Sequence, residues 1–372
     1  MRILHLASGD LWAGAEVQLF HLARNLVKEN DVTLQVVLLN HGQLEQKLRA
    51  SDVNVCVIDE SALSGLTIMK KFNQIVKTFK PDVVHTHRIK ENVIGGLIAR
   101  LRGCKSIRTV HGASEFSQAP FSLKRFIFDS LDRVSAIFFQ QKIIAVSFDL
   151  GQMLSNHLPK SKIETIANSV DQKFIYDQAR QSIDYSYPDA RLNVAFVGRF
   201  VPVKRPDYFV EIARLVADSQ SSVKNSIHFF MIGDGPLKSE IETKVKTHHL
   251  GDHVHFTGFV ENTAPYLQHM DLLLFTSDHE GLPMTLLESM SLGVAVGSRP
   301  IDSIASVLCN KACGFFPNVD SPAEFAQLVL ELAENRQALL QITTQAREQL
   351  DANYSINQNV KRYKQIYIQL VA

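Results

Sequence analysis

The chain has 372 residues, 45% hydrophobic and 21% charged, the balance of a soluble globular protein able to fill a substantial core, which argues against disorder. At roughly 150 residues per domain, this length predicts two domains. Lys plus Arg (39) nearly cancel Asp plus Glu (38), so no global field gathers nucleic acid or an anionic membrane, and an anionic ligand must be held locally.

The first apolar run, "RILHLAS", is short and ends in a turn, unlike the longer apolar region of a signal peptide, so the expected location is the cytoplasm. It leads a series of candidate strands, "RILHLAS", "TLQVVLL", "VNVCVID", "DVVHT", "SIRTV" and "KIIAV", separated by segments of helical period. That alternation reads as successive βα units around a parallel sheet. After the first strand, "SGDLWAGAEVQLFHLARNL" opens an amphipathic helix but lacks both G-x-G-x-x-G and G-K-[ST], so it is neither a dinucleotide fingerprint nor a P-loop. Gly14 can expose backbone N–H groups there, and Trp12 can offer a flat apolar face to a sugar. Close packing for Gly14 and a core position for Trp12 are the structural alternatives.

"IMKKFNQIVKTFK" places Ile68, Phe72, Ile75, Val76 and Phe79 on one helical face and Lys70, Lys77 and Lys80 around the other. This is the pattern of a solvated helix packed on a sheet, with peripheral membrane docking as the alternative. "VVHTHRIKEN" and "RTVHGASEF" each end a strand in histidine. His85 and His87 share one side of an extended chain, while His111, where strand joins polar loop, is the strongest functional candidate of the three. Metal binding by them needs a spatial convergence that spacing does not establish, so no metal is expected.

An irregular stretch, "YDQARQSIDYSYPDARL" (176–192), has the polar and Pro content of a linker or of a domain's first loop. A second series follows: "NVAFVG", "HFFMIG", "VHFTG", "DLLLFT", "VAVG" and "GFFP". Behind the first of these, "RFVPVKRPDYFVEIARLV" puts Arg199 and Lys204 in one loop ahead of a helix with Pro206 in its first turn. Two such cations can neutralise a phosphate or diphosphate, or can be solvated surface charges. In "IGDGPLKSEIE", Gly233 and Gly235 permit either close ligand approach or an ordinary βα turn.

"DLLLFTSDHEGLPMTLLESMSLG" runs from a buried strand through a polar loop into a helix with Pro283 near its start. Glu280 falls in the loop and Glu288 more than a turn into the helix, so the two acids occupy different levels. Gly281, Leu282, Met284 and Thr285 can present backbone N–H groups to an anion at the positive end of the helix dipole. One acid can grip sugar hydroxyls and the other a deeper diol; otherwise Glu280 serves the dipole and Glu288 a solvated face. Four scattered cysteines, Cys56, Cys104, Cys309 and Cys313, suit a reducing compartment and offer no second pair for zinc. Both series carry their turn residues and charges after the strands, where open parallel sheets bind ligands.

The ordered set "WAGAE", "DVVHTHR", "TVHG", "VGRFVPVKRPD", "IGDGPLKSEI", "VHFTGFV" and E-x7-E in "EGLPMTLLE" resembles family 4 of the GT-B glycosyltransferases along nearly the whole chain. The resemblance implies two Rossmann-like domains, doubly wound parallel sheets facing an interdomain cleft. It implies an acceptor-side domain over 1–170, joined by the C-terminal helix 355–372, and a donor-side domain over 171–354. Arg199 and Lys204 are then the diphosphate clamp, Glu280 with Gly281, Leu282, Pro283, Met284 and Thr285 the donor-sugar site, and Glu288 the ribose ligand. Gly233 and Gly235 join the donor loops, Gly14 approaches the donor phosphates, and Trp12, His87 and His111 form the acceptor side, His111 nearest the reacting sugar.

The implied reaction is retaining, metal-independent transfer of a hexose from a nucleotide-diphosphate sugar, UDP-sugar favoured, to a carbohydrate or lipid-linked acceptor in bacterial envelope synthesis. The nucleotide sugar is a co-substrate and no cofactor is implied; peripheral contact at the inner face of the membrane is an added expectation. Ala13 in "WAGAE", Ser169 in "IANSVD" and the loop "VGSRPIDSIASVL" depart from the family pattern. A nucleotide-sugar epimerase or hydrolase and an inactive sugar-nucleotide-binding partner protein are the alternatives.

Overall fold

The computed structural model describes residues 1–10, 12–112, 123–309 and 312–372. The chain forms two units, one from Met1–Val170 with Ile356–Ala372 and the other from Asp171–Ser355.

In the N-terminal unit, β1 (Arg2–Ala7), β2 (Thr33–Leu38), β3 (Asn54–Val57), β4 (Val83–Thr86), β5 (Lys105–Val110), β6 (Lys142–Ala145) and β7 (Ile163–Thr165) form one sheet, ordered β3-β2-β1-β4-β5-β6-β7. All its pairs are parallel, with Ile3 of β1 opposite Leu34 on one side and Val83 on the other. The sequences are nearly continuous apolar runs because helices cover both faces of such a sheet. On one face, Leu4, Leu6, Val37 and Val84 pack with Ile68, Phe72 and Val76 of the helix Gly65–Phe79. That helix leaves Lys70, Lys77 and Lys80 exposed, so its apolar stripe is spent on the sheet. The final helix, Ile356–Val371, buries Val360, Tyr363, Ile366 and Tyr367 in this unit. Lys364 ties it to Glu29 at 2.6 Å and to Asp31 at 2.7 Å.

The second unit contains β8 (Leu192–Val197), β9 (Ile227–Ile232), β10 (Val254–Gly258), β11 (Leu272–Phe275) and β12 (Ala295–Ser298), all parallel and ordered β10-β9-β8-β11-β12. Its core gathers Phe200, Phe209, Phe229, Met231 and Phe325. In both sheets, successive strands step away from the first strand to one side, and the chain then crosses to its other side. The order therefore reverses between β1 and β4 and between β8 and β11, which opens a crevice at the strands' carboxyl ends.

Two elements differ from the sequence expectation. β7 is only "IET", too short and polar to register as an apolar run. "GFFP" is no strand: Phe315 forms a single bridge to Gly297 at the edge of β12, its N–H donating to Val296 O at 2.8 Å. Among the described residues, no helix is long and apolar enough to cross a membrane.

Candidate active site

Because β8 and β11 are paired neighbours, the loops that leave their carboxyl ends meet. Lys204 closes a single 3-10 turn, Pro202–Lys204, just before the helix Pro206–Ala217. Glu280 lies in the loop between β11 and the helix Met284–Leu292. Lys204 Nζ donates to Glu280 Oε1 at 2.5 Å, and Ser277 Oγ donates to the same oxygen at 2.6 Å. The carboxylate is 8% exposed and the ammonium 26%, so this is a half-sheltered charge pair with an open side.

Main-chain contacts fix both loops. Asp278 N donates to Val203 O at 2.8 Å, the Thr276 hydroxyl reaches the carbonyls of Lys204 and Arg205 at 3.0 Å, and Ser303 Oγ donates to Glu280 O at 3.0 Å. Arg299 braces the loop from behind through Asp278 at 2.6 Å and Asp320 at 2.8 Å. Arg199 is exposed on the β8 loop and is hydrogen-bonded to neither Lys204 nor Glu280.

The helix Met284–Leu292 starts after Pro283, which supplies no side-chain cap, so no capping side chain competes for its first N–H groups. Leu282 and Met284 are buried and anchor this turn, while Gly281, Pro283 and Thr285 are partly exposed. Glu288 sits in the second turn with its own partner: Oε2 accepts from Thr263 Oγ1 at 3.0 Å. Burial raises its pKa and the Thr263 bond opposes that shift. The two acids therefore belong to different local networks.

Gly233 and Gly235 have a packing reason. A Cβ on Gly233 would lie 2.0 Å from Gly198 O, and one on Gly235 would lie 2.6 Å from both N and O of Phe200. The β9 loop crosses the β8 loop backbone against backbone, with Phe200 N donating to Asp234 O at 2.9 Å.

In the N-terminal unit, the β1–β4 reversal holds a chain of histidines. His5 stands opposite His85 in register, His87 follows β4, and His111 follows β5. His5 Nδ1 lies 2.9 Å from His87 Nε2, and His87 Nδ1 lies 3.1 Å from His111 Nε2. His85 contacts Tyr367 OH through Nδ1 and Thr109 Oγ1 through Nε2, each at 2.7 Å. Desolvation holds His5 and His111 down at about 3, the Arg88 charge contributing at His111, and holds His85 and His87 well below their ordinary range. All four are neutral at neutral pH.

Beside His87, Arg88 adopts φ +127°, a strained value for a non-glycine residue, and ion-pairs with the buried Glu16. Gly14 begins the helix Gly14–Leu26, and a Cβ there would meet nothing within 4 Å, so packing does not require glycine. Trp12 packs edge-on against Phe20 at 5.9 Å, with Lys47 Nζ 5.0 Å from its ring centroid. The polar loop after His111 lies outside the described residues.

Among the described residues, His5, His85 and His87 have metal-ligand spacing, with ring nitrogens within 4.8 Å of one another. Every ring nitrogen of the three has a hydrogen-bond partner, so a metal ion would have to break that chain. Sequence reading missed His5, Tyr363 and Tyr367, and in the other unit Thr263, Ser277, Arg299 and Ser303. A polar residue inside the apolar run "RILHLA" was the available signal for His5. The i,i+4 tyrosines of the last helix were the signal for its buried face.

Two family models match: "Glycosyltransferase Family 4" over residues 12–174 and "Glycosyl transferases group 1" over residues 178–349. The chain is 24% identical over 335 residues to the Escherichia coli UDP-Gal:alpha-D-GlcNAc-diphosphoundecaprenol alpha-1,3-galactosyltransferase, covering 88% of this chain and 86% of that protein. It is also 24% identical to the N-acetyl-alpha-D-glucosaminyl L-malate synthase of Bacillus anthracis, with 81% and 78% covered. The structure of Anabaena Alr3699/HepE in complex with UDP-glucose shares the fold, with a TM-score of 0.81, 17% identity and coverage of 99% of this chain and 100% of that one.

Proposed function

Since this chain belongs to the family 4 glycosyltransferases of the GT-B fold, we propose that it moves a hexose from a nucleotide-diphosphate sugar to a carbohydrate or lipid-linked acceptor, with retained anomeric configuration and no catalytic metal. UDP-sugar is the favoured donor and bacterial envelope polysaccharide or glycolipid synthesis the favoured setting. Support comes from the named activities of the relatives, which include a UDP-galactose transferase acting on a diphosphoundecaprenol-linked sugar and a complex that contains UDP-glucose. Four free cysteines favour the cytoplasm.

The observation that carries the reading is the Lys204–Glu280 pair at the β8–β11 reversal. An arriving diphosphate draws Lys204 away from Glu280, and Arg199 adds a second cation. Glu280, still held by Ser277, then accepts hydrogen bonds from the sugar hydroxyls, while the first-turn amides of Met284 and Thr285 face the donor's anionic end. Glu288 accepts from the ribose diol. As the glycosidic C–O bond to phosphate breaks, charge grows on the leaving diphosphate, where the cations stabilise it without reorganising. The departing phosphate oxygen takes the acceptor hydroxyl's proton as the new bond forms on the same face, so no separate strong base is needed.

A thermal-shift screen of UDP, GDP, ADP and their sugar conjugates in EDTA tests the donor assignment. The expected result is a selective rise with a uridine nucleotide. Absence of any shift in folded protein would count against the site. Transfer with the best donor across an acceptor panel, with product anomers read by NMR coupling constants, then tests retention.

A further inference from the structure

We propose that Tyr367, on the C-terminal helix, sets the tautomer of His111 through a one-way chain of hydrogen bonds that passes through His5 and His87.

The argument is proton counting. A neutral imidazole has one N–H and one acceptor nitrogen, and a tyrosine hydroxyl has one proton. Tyr367 OH faces two ring nitrogens, His85 Nδ1 at 2.7 Å and His5 Nε2 at 3.4 Å. Its single proton can go to only one of them, and toward the other it can only accept. O–H donor bonds span about 2.5–3.0 Å and N–H donor bonds about 2.7–3.2 Å, so the 3.4 Å contact to His5 lies much further outside the O–H range than outside the N–H range. Tyr367 therefore donates to His85.

Each later bond is then determined. His5 carries its proton on Nε2 and directs it at Tyr367, which leaves His5 Nδ1 to accept from His87 Nε2–H at 2.9 Å. His87 Nδ1 in turn accepts from His111 Nε2–H at 3.1 Å. His111 Nδ1 is consequently an acceptor rather than a donor. In the other branch, His85 donates its Nε2 proton to Thr109 at 2.7 Å, and Thr109 lies 3.3 Å from Tyr363 OH on the same helix. None of His5, His87 and His111 can change tautomer alone without setting two lone pairs or two protons face to face at a ring–ring contact in a buried site.

The functional consequence rests on the acceptor-side role proposed for His111: an acceptor nitrogen there orients a substrate hydroxyl through its proton. Tyr367 is then a positioning residue acting through two intermediate rings. The tautomer assignment itself depends on no substrate.

Long-range 1H–15N correlation spectra of 15N-histidine-labelled full-length protein near pH 7.5 report the tautomer of each ring. Signals are assigned with His87→Gln and His111→Gln. The wild-type protein is expected to show His5, His87 and His111 all as Nε2–H. In Tyr367→Phe, which keeps the ring and loses the hydroxyl, these three rings are expected to move together toward Nδ1–H or into a mixture. A wild-type His111 protonated at Nδ1 would overturn the proposal without any variant having to fold. So would unchanged tautomers in folded Tyr367→Phe. Neither readout requires transferase activity, so failure here is distinguishable from failure of the proposed reaction.

Discussion

Lowering the pH from about 7.5 to about 5 is a direct stress on the histidine chain. His5, His85, His87 and His111 all have pKa values pushed far below the ordinary 6.5 by burial. A base with a depressed folded pKa adds stability that is present above the unfolded pKa and is lost as pH falls below it, because the unfolded chain takes up the proton. At pH 5, each such imidazole favours the unfolded state by about 1.5 pH units, or about 2 kcal/mol, and four together by about 8 kcal/mol. Glu91 works the other way. Desolvation pushes it up to about 7, so it is protonated in the fold at pH 5 and offsets about 2 kcal/mol of that loss, and Glu16 and Glu288, also raised by burial, act in the same direction. The four histidines outweigh Glu91, leaving a loss of several kcal/mol, on the scale of the whole stability of many domains.

Urea unfolding followed by fluorescence provides the assay, since the single tryptophan, Trp12, lies in the N-terminal unit. The midpoint is expected to fall sharply at pH 5. Glu91→Gln is expected to make the fall steeper, because the opposing carboxylate is gone. A midpoint unchanged or raised at pH 5, or a Glu91→Gln protein less acid-sensitive than wild type, would refute the reasoning.

Lys204→Ala and Arg199→Ala are each expected to cut turnover about 100-fold or more, the scale for losing one preorganised group that stabilises developing charge; steady-state kinetics with the donor found in the screen check this. Glu288→Ala is expected to weaken nucleotide binding about tenfold with little change in kcat, as loss of a charged hydrogen-bond acceptor implies; a titration of UDP measures it. Gly235→Ala drives a Cβ to 2.6 Å from the Phe200 backbone. It is expected to destabilise the C-terminal unit by about 1–3 kcal/mol, read from calorimetric unfolding.

Much of the architecture is legible in the sequence because buried parallel strands write themselves as nearly continuous apolar runs: "LLLF" of β11 is buried at every position. Where the physics is weaker, the reading fails. β7 is short and half-exposed, and Phe315 pairs with β12 through a single bridge rather than a ladder. The two acids of E-x7-E were separable by spacing, since Glu280 precedes Pro283 and Glu288 follows it. Their partners were not. Ser277 and Thr263 are common residues whose roles depend on which loops the sheet order brings together. The histidine chain was less visible still, because it joins β1, β4, β5 and the final helix, and only three-dimensional register puts His5 opposite His85. The glycines carried an ambiguity that geometry resolves in opposite directions: backbone crossing explains Gly233 and Gly235, whereas Gly14 faces open space.

The central claim is that the β8–β11 reversal binds a nucleotide diphosphate through its own cations. Calorimetric titration of UDP in excess EDTA, into wild-type protein and into Lys204→Ala, tests it most directly. Binding that survives EDTA in the wild type and weakens at least about tenfold in the variant is the predicted result, in line with losing one charge-assisted contact. Binding that vanishes in EDTA, or that is equally tight in folded Lys204→Ala, would contradict it.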